Sequence, residues 1–237
     1  MKRILTRATV ALAALMTITA APRVRAAARP EPVPPAAPAH ADSIVPAIVA
    51  LQAIAADSGL RPAVLELALR AHARAESAGR TASPIMTVID YSLPSRERRL
   101  WVLDLAQGTV LAHELVAHGK ATGGDTATTF SDREGSNQSS LGTFVTGPTY
   151  QGKHGLSLRL EGLDGRLNAH AEARGIVVHG ADYVSDAIVA QLGRLGRSQG
   201  CPALNPAVAP RIIDLIKGGT VVFSYFPSPA LAATLPA

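Results

Sequence analysis

The chain has 237 residues, of which 47% are hydrophobic, 17% charged and 4% aromatic, the proportions of a soluble globular protein with one ordinary domain plus appendages and not of a membrane bundle. Its 23 Lys and Arg against 18 Asp and Glu give a formal charge of +5, which at face value invites a nucleic-acid or membrane-surface partner. The single cysteine, Cys201, excludes an intramolecular disulfide, a Cys-rich zinc site and an iron–sulfur cluster.

Lys2, Arg3 and Arg7 precede the apolar stretch ATVALAALMTITAA, and Val24-Arg25-Ala26 follows, the pattern of a secretory signal cut after Ala26. The apolar run is shorter than the ~20 residues that span a bilayer. Residues 1–26 contain Lys2, Arg3, Arg7, Arg23 and Arg25 and no acidic residue, so the mature chain carries equal numbers of each sign. The basic excess therefore belongs to the export signal, and neither a nucleic-acid partner nor stable membrane insertion is expected after its removal. Residues 27–42 hold five prolines among alanines, which predicts an extended tether.

From Ser43 to about Arg80 the apolar residues recur at helical spacing, Ile44, Ile48, Leu51 and Ile54, then Leu60, Val64, Leu65, Leu67 and Leu69, which predicts two helices. Pro46 and Pro62 suit first-turn positions, Asp57-Ser58-Gly59 separates the helices and Gly79 ends the second. Carrying no clustered polar chemistry, this helical extension (43–80) is expected to serve packing.

After Pro84 the pattern changes to short β-like runs at 85–91, 100–105 and 109–117, the last two joined as a hairpin through Ala106-Gln107-Gly108. Further runs lie at 141–146, 155–160, 175–179 and 220–226. Helical patterns interrupt them at 184–195 and from Asn205 as N-cap, with Pro206 at N1, to Lys217, where Gly218 stops the helix. The expected fold class is mainly β, an antiparallel sandwich or barrel over 81–228 with a short N-terminal helical extension, two interspersed helices and a tail at 229–237. A doubly wound α/β sheet does not fit this pattern.

The segment 119–140 (GKATGGDTATTFSDREGSNQSS) is long, polar and glycine-rich. Its Gly-Lys lacks the spacing of a phosphate-binding loop. Loops of such length are either mobile or site-lining, and Phe130 with the closing SSLG favours site-lining.

Cys201 sits in Arg197-Ser198-Gln199-Gly200-Cys201-Pro202. A free cysteine is commonly a buried core thiol. This sequence, polar, glycine-containing and followed by proline, instead describes a sharp turn, and an exported protein has little reason to keep an exposed unpaired thiol without a use. A cysteine nucleophile needs a base or cation, because its ordinary pKa of about 8.5 leaves a few per cent ionised at neutral pH. His179 ends the run Gly175-Ile176-Val177-Val178 and precedes Gly180, so its imidazole emerges at a strand end, where a general base is held on one side and open on the other. The amides around Gln199, Gly200 and Cys201 can converge on an oxyanion, with Gly200 permitting close approach. His113 and His170 are read as structural, whereas His118 and His154 adjoin turn glycines and are candidates to line a pocket. No H-E-x-x-H or comparable metal spacing occurs.

His179-Gly180 followed by Ser198-x-Gly200-Cys201 resembles the active-site signature of the L,D-transpeptidase (YkuD-like) catalytic domain. The segments TVIDYSLPS, RLWVLDL, VAHGK, FSDREGSNQSSLG, YQGKHGLSLRLEGLDG, RGIVVHGADYVS and GRSQGCPAL are together similar to its murein L,D-transpeptidase branch, over about Ile85 to Phe226. The resemblance implies a peptidoglycan enzyme of the periplasm or cell envelope. Its cysteine attacks the meso-diaminopimelate carbonyl of a tetrapeptide stem, releases D-alanine and passes the acyl group from a thioester to an acceptor amine. By position, Cys201 is then the nucleophile and His179 the base, with Ser198, Gln199, Gly200 and Gly180 shaping the turn and oxyanion site, and neither metal nor organic cofactor is implied. Better-studied members carry His at the position of Gln199, and Arg or Asn at that of Ala203. Arg197 or Arg211 is then the guanidinium available as a carboxylate partner, with His118, Tyr150 and His154 as further candidate substrate contacts. Two other readings stay open: hydrolysis of the same thioester by an L,D-carboxypeptidase or endopeptidase, and a wall-binding module that has lost the chemistry, which Gln199 and Ala203 favour.

Overall fold

A computed structural model of the chain describes residues 49, 51–53 and 55–235. The expected signal, the tether, and the helix start around Ile44, Pro46 and Ile48, as well as Ile54, lie outside the described residues. Residues 51–53 and 55–57 are helical and end in a turn at Ser58 and Gly59, whose φ of 85° suits glycine. Helix α1 (Pro62–Ser77) opens with proline in its first turn, where its missing N–H costs nothing, and gives way at Ala78 and Gly79.

Among the described residues eight strands form one sheet: β1 (Ile85–Asp90), β2 (Leu100–Asp104), β3 (Thr109–Glu114), β4 (Gly142–Gly152), β5 (Gly155–Gly162), β6 (Val177–Gly180), β7 (Ala203–Leu204) and β8 (Val221–Tyr225). Short helices punctuate the later part, α2 (Gly165–Asn168) before β6, α3 (Asp186–Leu192) before β7, α4 (Ala209–Ile216) before β8 and α5 (Pro229–Ala232) after it. The spatial order is β3-β2-β1-β8-β4-β5-β6-β7. Its two ends approach each other where Ala117, just past β3, donates its amide to the Ala203 carbonyl of β7 at 2.9 Å, so the sheet is nearly closed in the manner of a barrel.

The mainly β class expected from the sequence is thus found, with one correction. The sheet is mixed, since β1 pairs with β8 and β6 with β7 in parallel. Parallel neighbours need a crossover of about a dozen residues or more, and the stretch holding α3 supplies one between β6 and β7. Other boundaries shift for local reasons. Val208, not Asn205, caps α4, because Asn205 Oδ1 takes the Ala207 amide at 2.9 Å and closes a turn there. β4 continues past Gly147-Pro148 through a register shift between Thr146 and Thr149, an irregularity that accommodates the amide proline lacks.

The central strands are covered on both faces, so their side chains sort by parity. Met86, Val88, Trp101, Leu103, Val221 and Phe223 pack with Val64, Leu65, Ala68 and Ala71 of α1. Leu231 and Leu235, from the segment expected to be a tail, join the same core. On the other face Ile89, Leu100, Val102 and Val222 meet Phe144, Leu158 and Val178 and the Ile212, Ile213 and Ile216 stripe of α4. Each such side chain stabilises the fold by about 1.5–3 kcal/mol. This second core anchors β5 and β6, whose far ends carry the polar cluster described next.

Candidate active site

Val177 and Val178 bury β6 up to His179, which is itself 4% exposed. His179 Nδ1 lies 2.8 Å from the Gly180 carbonyl. A carbonyl only accepts, so Nδ1 carries the hydrogen and, in the neutral ring, Nε2 keeps its lone pair. Burial holds the imidazole pKa below its ordinary value against that hydrogen bond, and the charges of His154 and Lys153 add to the lowering. His179 is therefore a neutral ring at neutral pH, already in the tautomer that accepts a proton at Nε2.

The parallel register of His179 with Ala203 brings the turn preceding β7 alongside β6. Within it Ser198 Oγ accepts the Gly200 amide at 3.0 Å and donates to the Cys201 carbonyl at 2.7 Å. Gly200 has φ of 130°, and a Cβ there would stand 2.8 Å from the Gln138 carbonyl oxygen, so only glycine fits this turn. Cys201 is half-buried, with Sγ 3.7 Å from the Gly175 carbonyl oxygen. Burial pushes its thiol pKa up, opposed by the Val177 amide and the Arg174 charge. With the thiol raised and the imidazole lowered, the resting pair is neutral.

Both residues open on one cleft of about 900 Å³. Tyr150 reaches it from the end of β4, Lys153 and His154 from the β4–β5 turn, Arg174 and Gly175 from the entry to β6, and Tyr183 from beyond β6. The turn contributes Arg197, Ser198 and Gln199, and the 119–140 loop contributes Lys120, Glu134 and Asn137. The lining is net cationic, and the His154 ring stacks on His179 with centroids 4.5 Å apart and planes 27° apart. Of the residues singled out in the sequence, Cys201, His179, Ser198, Gln199, Arg197, Tyr150 and His154 are brought together here. Gly180 and Gly200 stand behind the lining, Gly180 so close to the chain that a Cβ would lie 3.2 Å from Pro206 Cα.

Two candidates are placed elsewhere. Arg211 is on α4, 3.9 Å from Glu114, and does not line the cleft. His118 is fully buried with Nδ1 2.7 Å from an Arg99 nitrogen; burial, then the Arg99 charge, lowers its pKa to about 4. Its backbone still supports the turn, because the His118 carbonyl accepts the Ser198 amide at 2.9 Å. Phe130 also stays out of the cleft, packed 5.9 Å from Tyr91 and 4.9 Å from Phe226 between ring centroids.

Sequence reasoning missed Arg174. Its guanidinium, 4% exposed, donates to the carbonyls of Ser131 at 2.8 Å and Gln138 at 2.7 Å and to Ser140 Oγ at 2.5 Å, and lies 3.6 Å from Asp132. It clamps the loop against the entry of β6 and puts a positive charge near Cys201. Lys153 and Tyr183 were also missed; their signal was adjacency to His154 and to the His179-Gly180 pair. Among the described residues no group of three or more His, Cys, Asp or Glu side chains is placed to hold a metal ion, and no helix is long and apolar enough to cross a membrane.

Comparison with known families places residues 56–225 on the L,D-transpeptidase catalytic domain. Among solved structures, an L,D-transpeptidase from Mycobacterium smegmatis is 17% identical with a TM-score of 0.39, over 61% of this chain and 59% of that one. An L,D-transpeptidase from Xylanimonas cellulosilytica is 18% identical with a TM-score of 0.35, over 65% and 68%. The helical cell shape determining protein Pgp2 from Campylobacter jejuni is 11% identical with a TM-score of 0.39, over 61% and 47%. The match thus spans 59% of the length of the first of these chains. No curated protein matches.

Proposed function

Because the chain belongs to the L,D-transpeptidase catalytic domain family, we propose that it is an exported cysteine acyltransferase acting on peptidoglycan stem peptides in the periplasm or cell envelope, directed there by residues 1–26. The observation that carries the reading is the pairing, on one cleft, of the half-buried Cys201 with a His179 whose Nδ1 is tied to the Gly180 carbonyl and whose Nε2 is left to accept.

In this mechanism Cys201 Sγ attacks the carbonyl of the diaminopimelate residue in a tetrapeptide stem while His179 Nε2 takes the thiol proton. The Gly200 amide is already held by Ser198 Oγ, so the amides of Gln199 and Cys201 are the donors for the oxyanion. Collapse breaks the C–N bond, the imidazolium returns its proton to the departing D-alanine amine, and a thioester remains. An amine of a second stem then attacks the thioester, His179 takes its proton, and that proton goes to the leaving Cys201 sulfur. Lys120, Lys153 and Arg197 on the lining suit the carboxylates that stem peptides carry, and Arg197 is the guanidinium available for one of them.

Resolution of the thioester by water gives the L,D-carboxypeptidase or endopeptidase alternative with the same residues. Product analysis on purified stem peptides separates the two: cross-linked dimers are expected, and tripeptide without dimers would assign hydrolysis. A Cys201 inert to acylation would leave the wall-binding module.

A further inference from the structure

We propose that His154 is a positioning residue for the catalytic base, its ring holding the imidazole of His179 in the plane that directs Nε2 at the reacting thiol. The inference rests on the reading of Cys201 and His179 given above.

The hydrogen bond from His179 Nδ1 to the Gly180 carbonyl fixes one edge of the ring. A ring held by its Cβ–Cγ bond and one hydrogen bond can still rock about χ2 within the tolerance of that hydrogen bond, and such a rock swings Nε2, on the far side of the ring, across the cleft. His154 supplies the missing restraint. Its ring covers a face of His179 at 4.5 Å and 27°, the geometry of a stacked pair. The topology makes this contact natural. Ser157 of β5 is the cross-strand partner of His179, so the β4–β5 turn begins within a few residues of the base. Gly152 and Gly155 flank Lys153 and His154 there, and Gly155 takes the left-handed φ of 75°.

The stack also sets charge. The charged groups that act on His179 are His154 and Lys153 from the hairpin. The other titratable or charged groups on the shared cleft are Tyr150 at the end of β4, Cys201 and Arg197 from the turn, Arg174 from the entry to β6, Tyr183 beyond it, and Lys120 and Glu134 from the 119–140 loop. The neighbouring β7 contributes the apolar Ala203 and Leu204, and the α4 side meets Gly180 through Pro206 and Ala209. A cationic His154 or Lys153 disfavours protonation of His179, so the hairpin helps keep the base free of a proton as pH falls.

The test is the rate at which imipenem acylates Cys201, followed by intact mass between pH 5 and 8, in the wild type, His154→Ala, His154→Phe, His179→Ala and the His154→Ala/His179→Ala double variant. His154→Ala is expected to slow acylation about five- to tenfold with the melting temperature unchanged. His154→Phe keeps a ring on the stacking face but not the charge. It is expected to return to within about twofold of wild type, with its acid limb moved to higher pH. In the double variant the loss from His154→Ala should vanish, because a residue acting through His179 has nothing left to position. A wild-type rate in His154→Ala, no recovery in His154→Phe, or an undiminished loss in the double variant would overturn the proposal. A wild type that imipenem does not acylate, or that acylates equally well without His179, would instead refute the underlying reading of the pair.

Discussion

Ser139 Oγ donates to the Gly200 carbonyl at 3.0 Å and accepts the Gly119 amide at the same distance, so one buried hydroxyl ties both ends of the 119–140 loop to the turn that carries Cys201. The Tyr91 phenol is buried nearby, its pKa pushed up to about 12 by burial against the Arg99 charge. Ser139→Ala leaves a buried carbonyl and a buried amide without partners, which costs about 2 kcal/mol. Chemical denaturation is expected to show that loss, together with severalfold slower acylation of Cys201. A variant as stable as wild type would mean that the tie is replaced.

Gly200→Ala strains the turn twice, through the φ of 130° and through a Cβ 2.8 Å from the Gln138 carbonyl oxygen. The expected outcome is a stability loss of about 2 kcal/mol or more and at least tenfold slower acylation. Gly193→Ala is the control: its φ is 68°, but a Cβ there meets nothing within 4 Å, so it should cost about 1 kcal/mol and leave acylation unchanged. Equal acylation rates in the two variants would contradict the assigned geometry.

Most of the sheet was legible because its signals are local. Pro62 announces α1, Gly108 closes the hairpin, and the alternation of Met86 and Val88 against Ile89 is a parity pattern that survives into the packed core. Cys201 and His179, which the structure brings onto one cleft, were legible as candidates for a similar reason, each being marked by its immediate neighbours. What escaped depends on distant partners or on competing local chemistry. β7 spans only Ala203–Leu204, too short to show a period, and exists because β6 and Ala117 flank it. Asn205 offered a capping signal that a tighter turn used first. The Arg174 clamp joins residues separated in sequence by 34 to 43 positions, and nothing near Arg174 names Ser131, Gln138 or Ser140. Likewise the contact of His154 with His179 follows from the pairing of β5 with β6, not from either residue's neighbours.

Arg174→Ala removes that clamp and leaves buried acceptors and the 6% exposed Asp132 side chain without the guanidinium. A destabilisation of about 2–4 kcal/mol is expected, with proteolysis shifted into the 131–140 segment. Arg174→Lys keeps the charge but cannot fork between the Ser131 and Gln138 carbonyls, so it should recover only part of the stability. Full recovery with Lys would show that charge alone accounts for the residue.

Stability should fall on the acid side through His118. Its folded pKa of about 4 lies below the ordinary 6.5, so the unfolded chain binds the proton first. The contribution is complete above about pH 6.5 and is lost as pH falls toward 4, up to about 3 kcal/mol. Denaturant unfolding at pH 7.5 and 4.5 should show a smaller difference for His118→Gln, which keeps an acceptor for Arg99, than for wild type. Equal differences would remove His118 from the acid response.

The most direct measurement is intact mass of the protein mixed with tetrapeptide stems, for wild type, Cys201→Ala and His179→Ala. The expected result is a wild-type adduct equal to the stem less D-alanine, no adduct on Cys201→Ala, and formation on His179→Ala slowed by about a hundredfold or more. An adduct that persists on Cys201→Ala, or a wild type that forms none while remaining folded, would contradict the assignment of Cys201 as the nucleophile.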